Sequence, residues 1–434
     1  MILILINGYC LSIRSGGNTL NERVIFHIDV NSAYLSWTAV RMLQLGETKE
    51  DIREIPSIIG GNSDERHGIV LARSIPAKRY NIQTGESIVD ALKKCPKLKI
   101  FRPNYRLYMD SSNAMFNLLS EYSPKIQRYS VDEVFMDVSH YKDNYLEMAK
   151  KIQDRIREEL GFNVNIGIST NKLLAKMASD FNPKNSIHTL FQDEVKQKMW
   201  PLPVENLFMV GRATKRKLEK LNINTIGELA VFNLDILESL FKTHGKVIKN
   251  YANGIENSEV RRYNYIEVKG IGNSTTISWD VSSKEEALKI ILSLTESVCS
   301  RLRSTNSLCK VVSISLKDYR FNIYIHQRTL QNYTDSTEEI YKELIKAFIE
   351  IWKGEAIRQI GVKVTKLCSN EFFQNSLFDS KTLDKQKALD KTIDNIRKRY
   401  GNNSIIRSTF LNSGIKPING GVGEEDYPMM GSIL

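Results

Sequence analysis

Between Val24 and Asp29 hydrophobic and polar positions alternate. Val24, Phe26 and Ile28 fall on one face and Ile25, His27 and Asp29 on the other, the pattern of a strand that carries an acid at its end. Asn31 to Leu43 then takes up helical spacing. A Gly-containing stretch, IIGGNSDERHG, leads to strand-like GIVLA, a turn at Pro76 and a short helix ending near Cys95. From Leu98 to Trp200 strands and helices interleave: a helix over Tyr105 to Ser120, an acidic hairpin, a helix over Tyr145 to Leu160, the strand NVNIGIS, and a helix from about Asn171. Such interleaving predicts an α+β domain with helices on one face of a sheet.

Val204 to Gly254 reads as helical throughout. Thr214, Leu218, Leu221, Ile223 and Ile226 are spaced as two short helices around a tight connection. This is either a helix-hairpin-helix unit, whose backbone amides hold a DNA phosphate, or a generic helical hairpin. After a polar, basic connector (EVRRYNYIE, Glu259 to Glu267), Gly270 to Cys368 reads strand, helix, strand, strand, helix, strand. There KVVSISLK places Val312, Ile314 and Leu316 on one face. In RFNIYIHQR the spacing places Phe321, Ile323 and Ile325 inward and Arg320, Asn322, Tyr324, His326 and Arg328 outward. Ser297 to Leu330 holds six Lys and Arg against one acid, Asp318, so the outward face is either a phosphate-tracking surface or simply solvated. A last helix has an apolar stripe of Leu389, Ile393, Ile396 and Tyr400, and the end of the chain reads as disordered.

The 434 residues suffice for two to four domains, and 41% hydrophobic with 26% charged residues is ordinary for a soluble protein. A formal net charge of +11 points to a polyanionic partner. Five scattered cysteines, none in a CxxC spacing, argue against a disulfide framework and a zinc site and fit a reducing cytoplasm. Six isolated histidines leave oxygen ligands as the only means of holding a metal. The apolar start MILILINGYC is too short to span a membrane and lacks a signal-peptide pattern, so residues 1–21 are expected to be an extension ahead of the first structural strand.

The stretch YSVDEVFMDV, Tyr129 to Val138, sets Asp132 and Glu133 inside an otherwise apolar, strand-forming run. A solvated hairpin tip is the bland reading of that pair alone. Buried carboxylates, by contrast, need a cationic partner. Neighbours on a regular strand point to opposite faces, so both acids can converge with Asp29 only if the backbone turns or bulges there. Converged, the three would form an all-oxygen cage for two divalent ions and in-line phosphoryl transfer.

At these residues the chain resembles the Y-family translesion DNA polymerases, in the branch that includes DinB and UmuC. HIDVNSAY (His27 to Tyr34) is similar to the family's first catalytic segment, YSVDEVFMDV to its second and GISTNKLLAKMASDFNPK (Gly167 to Lys184) to its third. The resemblance covers roughly Val24 to Leu411. It implies an α+β, right-hand polymerase architecture: palm (22–38 and 98–200), small fingers (39–97), a helix-hairpin-helix thumb (201–258), a linker (259–269), an α+β little finger (270–370) and a tail (371–434). It further implies catalytic Asp29, Asp132 and Glu133. The ligands of two Mg2+ ions, with Mn2+ able to substitute, would be these three carboxylates and the carbonyl of Val30. Tyr34 falls at the steric gate against ribose, though as an isolated residue it reads as a core aromatic. Lys176 falls at the triphosphate; Lys172, one turn earlier on the same face, is either solvated or a DNA phosphate contact.

Four positions depart from the family pattern. Ile75 and Lys78 stand where a Tyr and an Arg usually grip the triphosphate, leaving Lys78 with charge but no bidentate fork, and Arg73 and Arg79 as the residues able to compensate. Asn31 replaces an acid, and Ala33 a larger aromatic beside the gate. QNSLF resembles the bacterial sliding-clamp-binding peptide, with Gln374, Leu377 and Phe378 as anchors. The resemblance thus implies a monomeric, cytoplasmic, template-directed polymerase of low fidelity and processivity that uses dNTPs, primer/template DNA and the clamp to bypass lesions. A two-metal nuclease and a catalytically decayed, clamp-tethered DNA-binding protein are the rival readings. The complete acid set argues against decay, and no exonuclease-like acid cluster is apparent.

Overall fold

The computed structural model describes residues 2–6, 9–13, 23–61, 68–261, 268–370, 381–411 and 413, and for 2–13 and 381–384 the backbone alone. In chain order its strands are β1 (Ile2–Ile6), β2 (Tyr9–Ile13), β3 (Ile25–Val30), β4 (Ser57–Gly60), β5 (Val70–Arg73), β6 (Lys99–Phe101), β7 (Ile126–Arg128), β8 (Glu133–Asp137), β9 (Val164–Ser169), β10 (Ile187–Thr189), β11 (Gly270–Val281), β12 (Ser307–Asp318), β13 (Ile323–Thr334) and β14 (Ile357–Ser369). Its α-helices are α1 (Ala33–Gln44), α2 (Ile75–Lys78), α3 (Ile88–Lys94), α4 (Tyr105–Ser120), α5 (Tyr145–Arg155), α6 (Lys172–Ser179), α7 (Arg212–Glu219), α8 (Ile226–Val231), α9 (Leu234–Phe241), α10 (Thr243–Ala252), α11 (Lys284–Ser304), α12 (Thr337–Ile351) and α13 (Lys381–Tyr400). Two compact units result, one from the described residues of 1–49 and 110–265, the other from those of 50–109 and 266–429.

In the first unit five strands form a sheet in the order β10-β9-β3-β8-β7, with β3 central and antiparallel to both neighbours. Ile25, Phe26 and Ile28 are fully buried, which is why β3 is stable in the middle of the sheet. Helix α6 lies against β3 and β9. Its approach depends on Gly167 of β9, where a Cβ would stand 1.9 Å from the Ala175 carbonyl oxygen and 2.4 Å from the Ser179 amide. The Asn171 side chain caps α6 by accepting from the Leu174 amide at 2.8 Å. The helical segment α7 to α10 shares a core with α6, including Leu173, Leu174, Leu218, Ile226 and Leu237. The expected pair of short helices is α7 and α8. A Thr225–Glu228 capping box closes the first turn of α8, whereas α7 starts at Gly211 without a side-chain cap. Residues 2–13 form a hairpin of their own, β1 with β2, so the expected extension contains strands that join no other sheet.

The second unit holds a small sheet, β5-β4-β6, and a four-stranded antiparallel sheet, β11-β14-β12-β13. The expected turn at Pro76 is instead the short helix α2. Ser74 caps it by accepting from Ala77, and Pro76 sits in the first turn, where its missing N–H costs nothing. In the larger sheet the strand–helix–strand–strand–helix–strand order holds, and α11 and α12 contribute Ile290, Leu294, Leu344 and Phe348 to its core.

One face assignment is reversed, that of β13. On β13, Ile323 and Ile325 are 61% and 68% exposed, and Phe321 in the preceding turn is 61% exposed. His326 and Arg328 instead turn toward α12, where His326 meets Glu350 at 2.6 Å and Arg328 meets Glu343 at 2.8 Å. An edge strand leaves its apolar residues open at one end of a sheet, and acids on the neighbouring helix decide which way the basic ones point. On α13 the ends of the apolar stripe, Leu389 and Tyr400, are exposed, while Ile393 and Ile396 in its middle are half-buried. Asp390, Asp394 and Arg397 face the fold, bound to Arg303 and Glu296 of α11. The peptide Gln374 to Phe378 lies outside the described residues.

Candidate active site

The β3–β8 ladder sets Asp29 directly opposite Glu133, and the β3–β9 ladder sets Asp29 opposite Asn165. Glu133 is the first residue of β8, and Asp132 stands in the bend before it, so the backbone turns between the two acids as their convergence requires. That bend is tied down on both sides: the amides of Tyr129 and Ser130 donate to the Glu133 carbonyl at 2.9 and 3.2 Å, and the Val30 amide donates to the Asp132 carbonyl at 3.1 Å. Ser130 Oγ donates to Asp132 Oδ1 at 2.5 Å.

The cation that these buried acids call for is Lys176. Its Nζ donates to Glu133 Oε1 and lies 5.1 Å from the Tyr129 ring centre and 5.7 Å from that of Phe208. The Lys176 and Glu133 side chains are only 12% and 19% exposed. Burial opposes the charge on Lys176, but the Glu133 carboxylate, by its charge and hydrogen bond, outweighs that and holds the ammonium above its ordinary pKa. One lysine does not neutralise three acids. Burial first, then the charges of Glu133 and Asp132, push the Asp29 carboxyl well above the usual carboxylate range. Burial also raises Glu133, against the pull of Lys176.

Among the described residues no three His, Cys, Asp or Glu side chains are gathered to ligate an ion as they stand. Glu133 is turned to Lys176 and Asp132 to Ser130. The donor set nevertheless suits a hard divalent cation: carboxylates on adjoining strands and a bend, under-neutralised, with the Val30 backbone beside them.

Tyr34 lies in the first turn of α1, half-buried, its ring 6.1 Å from that of Trp37. Asn31 holds the loop after α6: its Nδ2 donates to Asn185 Oδ1 at 2.6 Å, and Asn165 Nδ2 donates to its Oδ1 at 3.0 Å. Lys172 does not share an anion-facing surface with Lys176. It is fully buried and donates to Gln127 Oε1 at 3.3 Å and to the Glu259 carbonyl at 3.0 Å. At the start of α6 it points beneath the segment that ends the first unit, where Arg261 N also donates to Gln127. The connector therefore begins strapped down, and residues 262–267 lie outside the description. Arg73, Lys78 and Arg79 belong to the second unit. Lys78 and Arg79 are exposed at the end of α2, and the Arg73 guanidinium donates to the Ile82 carbonyl.

Residue-by-residue reading missed His27, Asn165 and Ser130. His27 shares the face of Asp29, accepts or donates at Ser179 Oγ (2.7 Å) and approaches Glu133 Oε1 at 3.8 Å. Burial, and then Lys176, push its pKa well below the ordinary value, so it stays neutral. Period-two alternation held the signal: His27 with Asp29 on β3, and Asn165 with Gly167 on β9.

Residues 28–180 match the model of the impB/mucB/samB family, and residues 268–377 that of the impB/mucB/samB family C-terminal domain. The chain is 50% identical over 392 residues to DNA polymerase IV of Clostridium acetobutylicum, covering 90% of this chain and 98% of that one. It belongs to the DinB-type Y-family of DNA polymerases. A DNA polymerase IV of Acetivibrio thermocellus is 35% identical over 90% of this chain and 98% of its own length. Among solved structures, a Y-family polymerase chimera of Dbh and Dpo4 aligns with a TM-score of 0.68 at 21% identity, over 80% of this chain and all of that one. An insertion ternary complex of Dbh DNA polymerase aligns at 0.55 and 21%, over 80% of this chain and all of that one. At such identities these two show the shared fold. The DinB-type chain is thus a DNA-directed DNA polymerase, of a family that acts on primer/template DNA and dNTPs with divalent metal ions. Among its described residues no helix is long and apolar enough to cross a membrane.

Proposed function

We propose that this Y-family chain extends primers by two-metal phosphoryl transfer, with low fidelity and low processivity, past lesions in the template. The observation that carries the reading is the pairing of Asp29 with Glu133 across β3 and β8, with Asp132 in the adjoining bend and, among the described residues, Lys176 as the cation bonded to them. Asp29, Asp132, Glu133 and the Val30 carbonyl are the groups that would hold two Mg2+ ions. When bound, such ions lower the pKa of the primer 3′-hydroxyl and offset charge on the triphosphate.

The chain's own residues do the positioning. The hydrogen-bonded bend fixes Asp132 and Glu133 relative to β3. His27, neutral and buried, fills the floor beneath the acids without adding charge. Lys176 balances Glu133 and is the cation that would meet a triphosphate there. Tyr34 screens the sugar. By the family resemblance Lys78 and Arg79 are the fingers cations for the triphosphate, with Arg73, which also donates to the Ile82 carbonyl, as the further candidate.

The palm comprises residues 22–38 and 98–200, the fingers 39–97, the thumb 201–258, the linker 259–269 and the little finger 270–370. A phosphate contact from the thumb hairpin falls at the uncapped start of α7, because Glu228 already accepts from the Asn224 and Thr225 amides ahead of α8. Gln374, Leu377 and Phe378 tether a monomeric, cytoplasmic enzyme to the sliding clamp.

Magnesium-dependent primer extension on intact and abasic templates tests the reading, with Asp132→Ala beside the wild type. Extension past the lesion that the variant loses supports it. A wild type that binds the primer but adds no nucleotide would overturn it in favour of a clamp-tethered DNA-binding protein.

A further inference from the structure

Between the end of β3 and the first turn of α1 the backbone that carries Tyr34 is pinned at several points. The Asn31 amide donates to the Asn163 carbonyl at 3.0 Å, and the Asn31 carbonyl accepts from Ser36 Oγ at 2.6 Å. Ser32 then holds a φ of 48°, a left-handed conformation that few non-glycine residues adopt, and its carbonyl accepts from the amides of Leu35 and Ser36, both at 3.0 Å. The Tyr34 carbonyl accepts from Thr38 Oγ1 at 2.7 Å. These bonds fix where the Tyr34 Cα sits. They do not fix its ring, which still turns about its side-chain bonds.

Beside that ring stands Trp37, three residues on and so on the same side of the helix. The two ring centres are 6.1 Å apart and the planes are tilted by 42°. Trp37 is 1% exposed, whereas Tyr34 is half-buried. A further buried ring, Phe162, meets Trp37 edge-on, with centres 6.1 Å apart and an interplanar angle of 79°. Next to it Gly161, at a φ of 77°, leaves room for Val40 of α1: a Cβ there would lie 3.2 Å from both Val40 methyl carbons. Trp37 is therefore wedged between the helix that carries Tyr34 and the loop that leads into β9. Ala33, the residue before Tyr34, is buried and brings no ring of its own.

We propose that Trp37 is a positioning residue for sugar selection, backing the Tyr34 ring so that it cannot swing away from the sugar of an incoming nucleotide. The inference rests on the reading of Tyr34 as the screen against ribose, and deepens it by naming what makes that screen rigid. Exclusion by clash works only when the excluding ring has nowhere to go. A half-buried tyrosine with space behind it would admit a 2′-hydroxyl for no more than a rotamer change, which costs less than overlap in a packed site. A buried indole with a second ring behind it gives up no such space, because side chains at interior density leave no void to take up. Two aromatic rings at this separation also attract, which holds Tyr34 against its support. Trp37 is buried behind Tyr34 and reaches the sugar only through it.

The test compares kcat/KM for a dNTP and for the matching rNTP, with the full-length protein on a primer/template, in the wild type, Trp37→Leu, Tyr34→Ala and the double variant. The ratio of the two constants does not depend on the fraction of protein that is folded, so a merely structural role leaves it unmoved. The expected result is a ratio about tenfold lower in Trp37→Leu, carried by faster rNTP incorporation rather than slower dNTP incorporation. Trp37→Phe, which keeps a ring, should show a smaller fall. In the Tyr34→Ala background Trp37→Leu should change the ratio no further, as expected of two residues that act as a unit. A wild-type ratio in Trp37→Leu beside a lowered one in Tyr34→Ala would overturn the assignment and leave the gate standing, whatever the melting temperature does. An equal fall with and without the Tyr34 ring would overturn it too, since Trp37 would then act independently. An unchanged ratio in Tyr34→Ala would remove the gate itself, and this inference with it. If Trp37→Leu does not fold, Phe162→Leu loosens the same wall from behind and should lower the ratio by a smaller factor; wild-type ratios there and in Trp37→Phe would overturn the assignment.

Discussion

Buried charge is handled in opposite ways in the two units. In the second, Arg303 of α11 meets Asp390 and Asp394 of α13, while Glu296 of α11 meets Arg397 and Arg407. Three cations and three anions cancel, and the pairs hold the last helix on the sheet domain. In the first unit Asp29, Asp132 and Glu133 share one cation, Lys176. A balanced cluster is complete as it stands and serves attachment. An unbalanced one stores a demand for positive charge, which is what a site for a cationic ligand requires.

The contrast can be broken most severely on the balanced side. Arg303→Met leaves Asp390 and Asp394 without their partner and should cost roughly 3–5 kcal/mol, read as a lower denaturation midpoint of this unit and faster hydrogen exchange in α13. Metal affinity should not change. On the unbalanced side the same kind of change has the opposite sign. Asp29→Asn should reduce nucleotide incorporation by about 10²–10³-fold or more, yet raise the melting temperature of the metal-free protein. The sign follows from linkage: a carboxyl raised on folding binds its proton more tightly in the native state, so its contribution to stability falls as pH rises through that raised range. The gap between the Asp29→Asn variant and the wild type should therefore widen with pH, and a variant that melts lower than wild type in chelator would count against the imbalance.

Two smaller effects sharpen the picture. Tyr34→Ala should lower discrimination against ribonucleotides by roughly two orders of magnitude in paired dNTP and rNTP incorporation assays; unchanged selectivity would remove Tyr34 from the gate. Burial lowers the Lys172 pKa from 10.5 to about 8. Below that pH both folded and unfolded chains carry the charge and the burial penalty is fully present. Between about 8 and 10.5 the unfolded chain binds more protons, so stability gains as pH rises through the window. Relative to Lys172→Met, the wild type should gain stability over that range in thermal melts.

What sequence made legible was what strand periodicity carries. Asp29 at the end of an alternating strand, two acids at a necessary bend, and the strand–helix order of the second unit all follow from local spacing. The failures concern partners distant along the chain. Lys172 and Lys176 lie one turn apart on α6, but Glu133 draws one of them and the Glu259 carbonyl covers the other. β13 turned its basic residues to α12 because Glu343 and Glu350 wait there, and α13 docked by its charges because Arg303 and Glu296 were already buried opposite it. No spacing within either segment contains that information. That the acids call for a cation was legible, but that Lys176, 43 residues along the chain from Glu133, supplies part of the answer was not.

The most direct test of that central claim is Mn2+ binding, followed by electron paramagnetic resonance, in the presence of a dideoxy-terminated primer/template and the next dNTP. The account predicts bound Mn2+ in the wild type, and strongly weakened binding in Asp29→Asn and Asp132→Ala alike. Undiminished Mn2+ binding in both variants would contradict it.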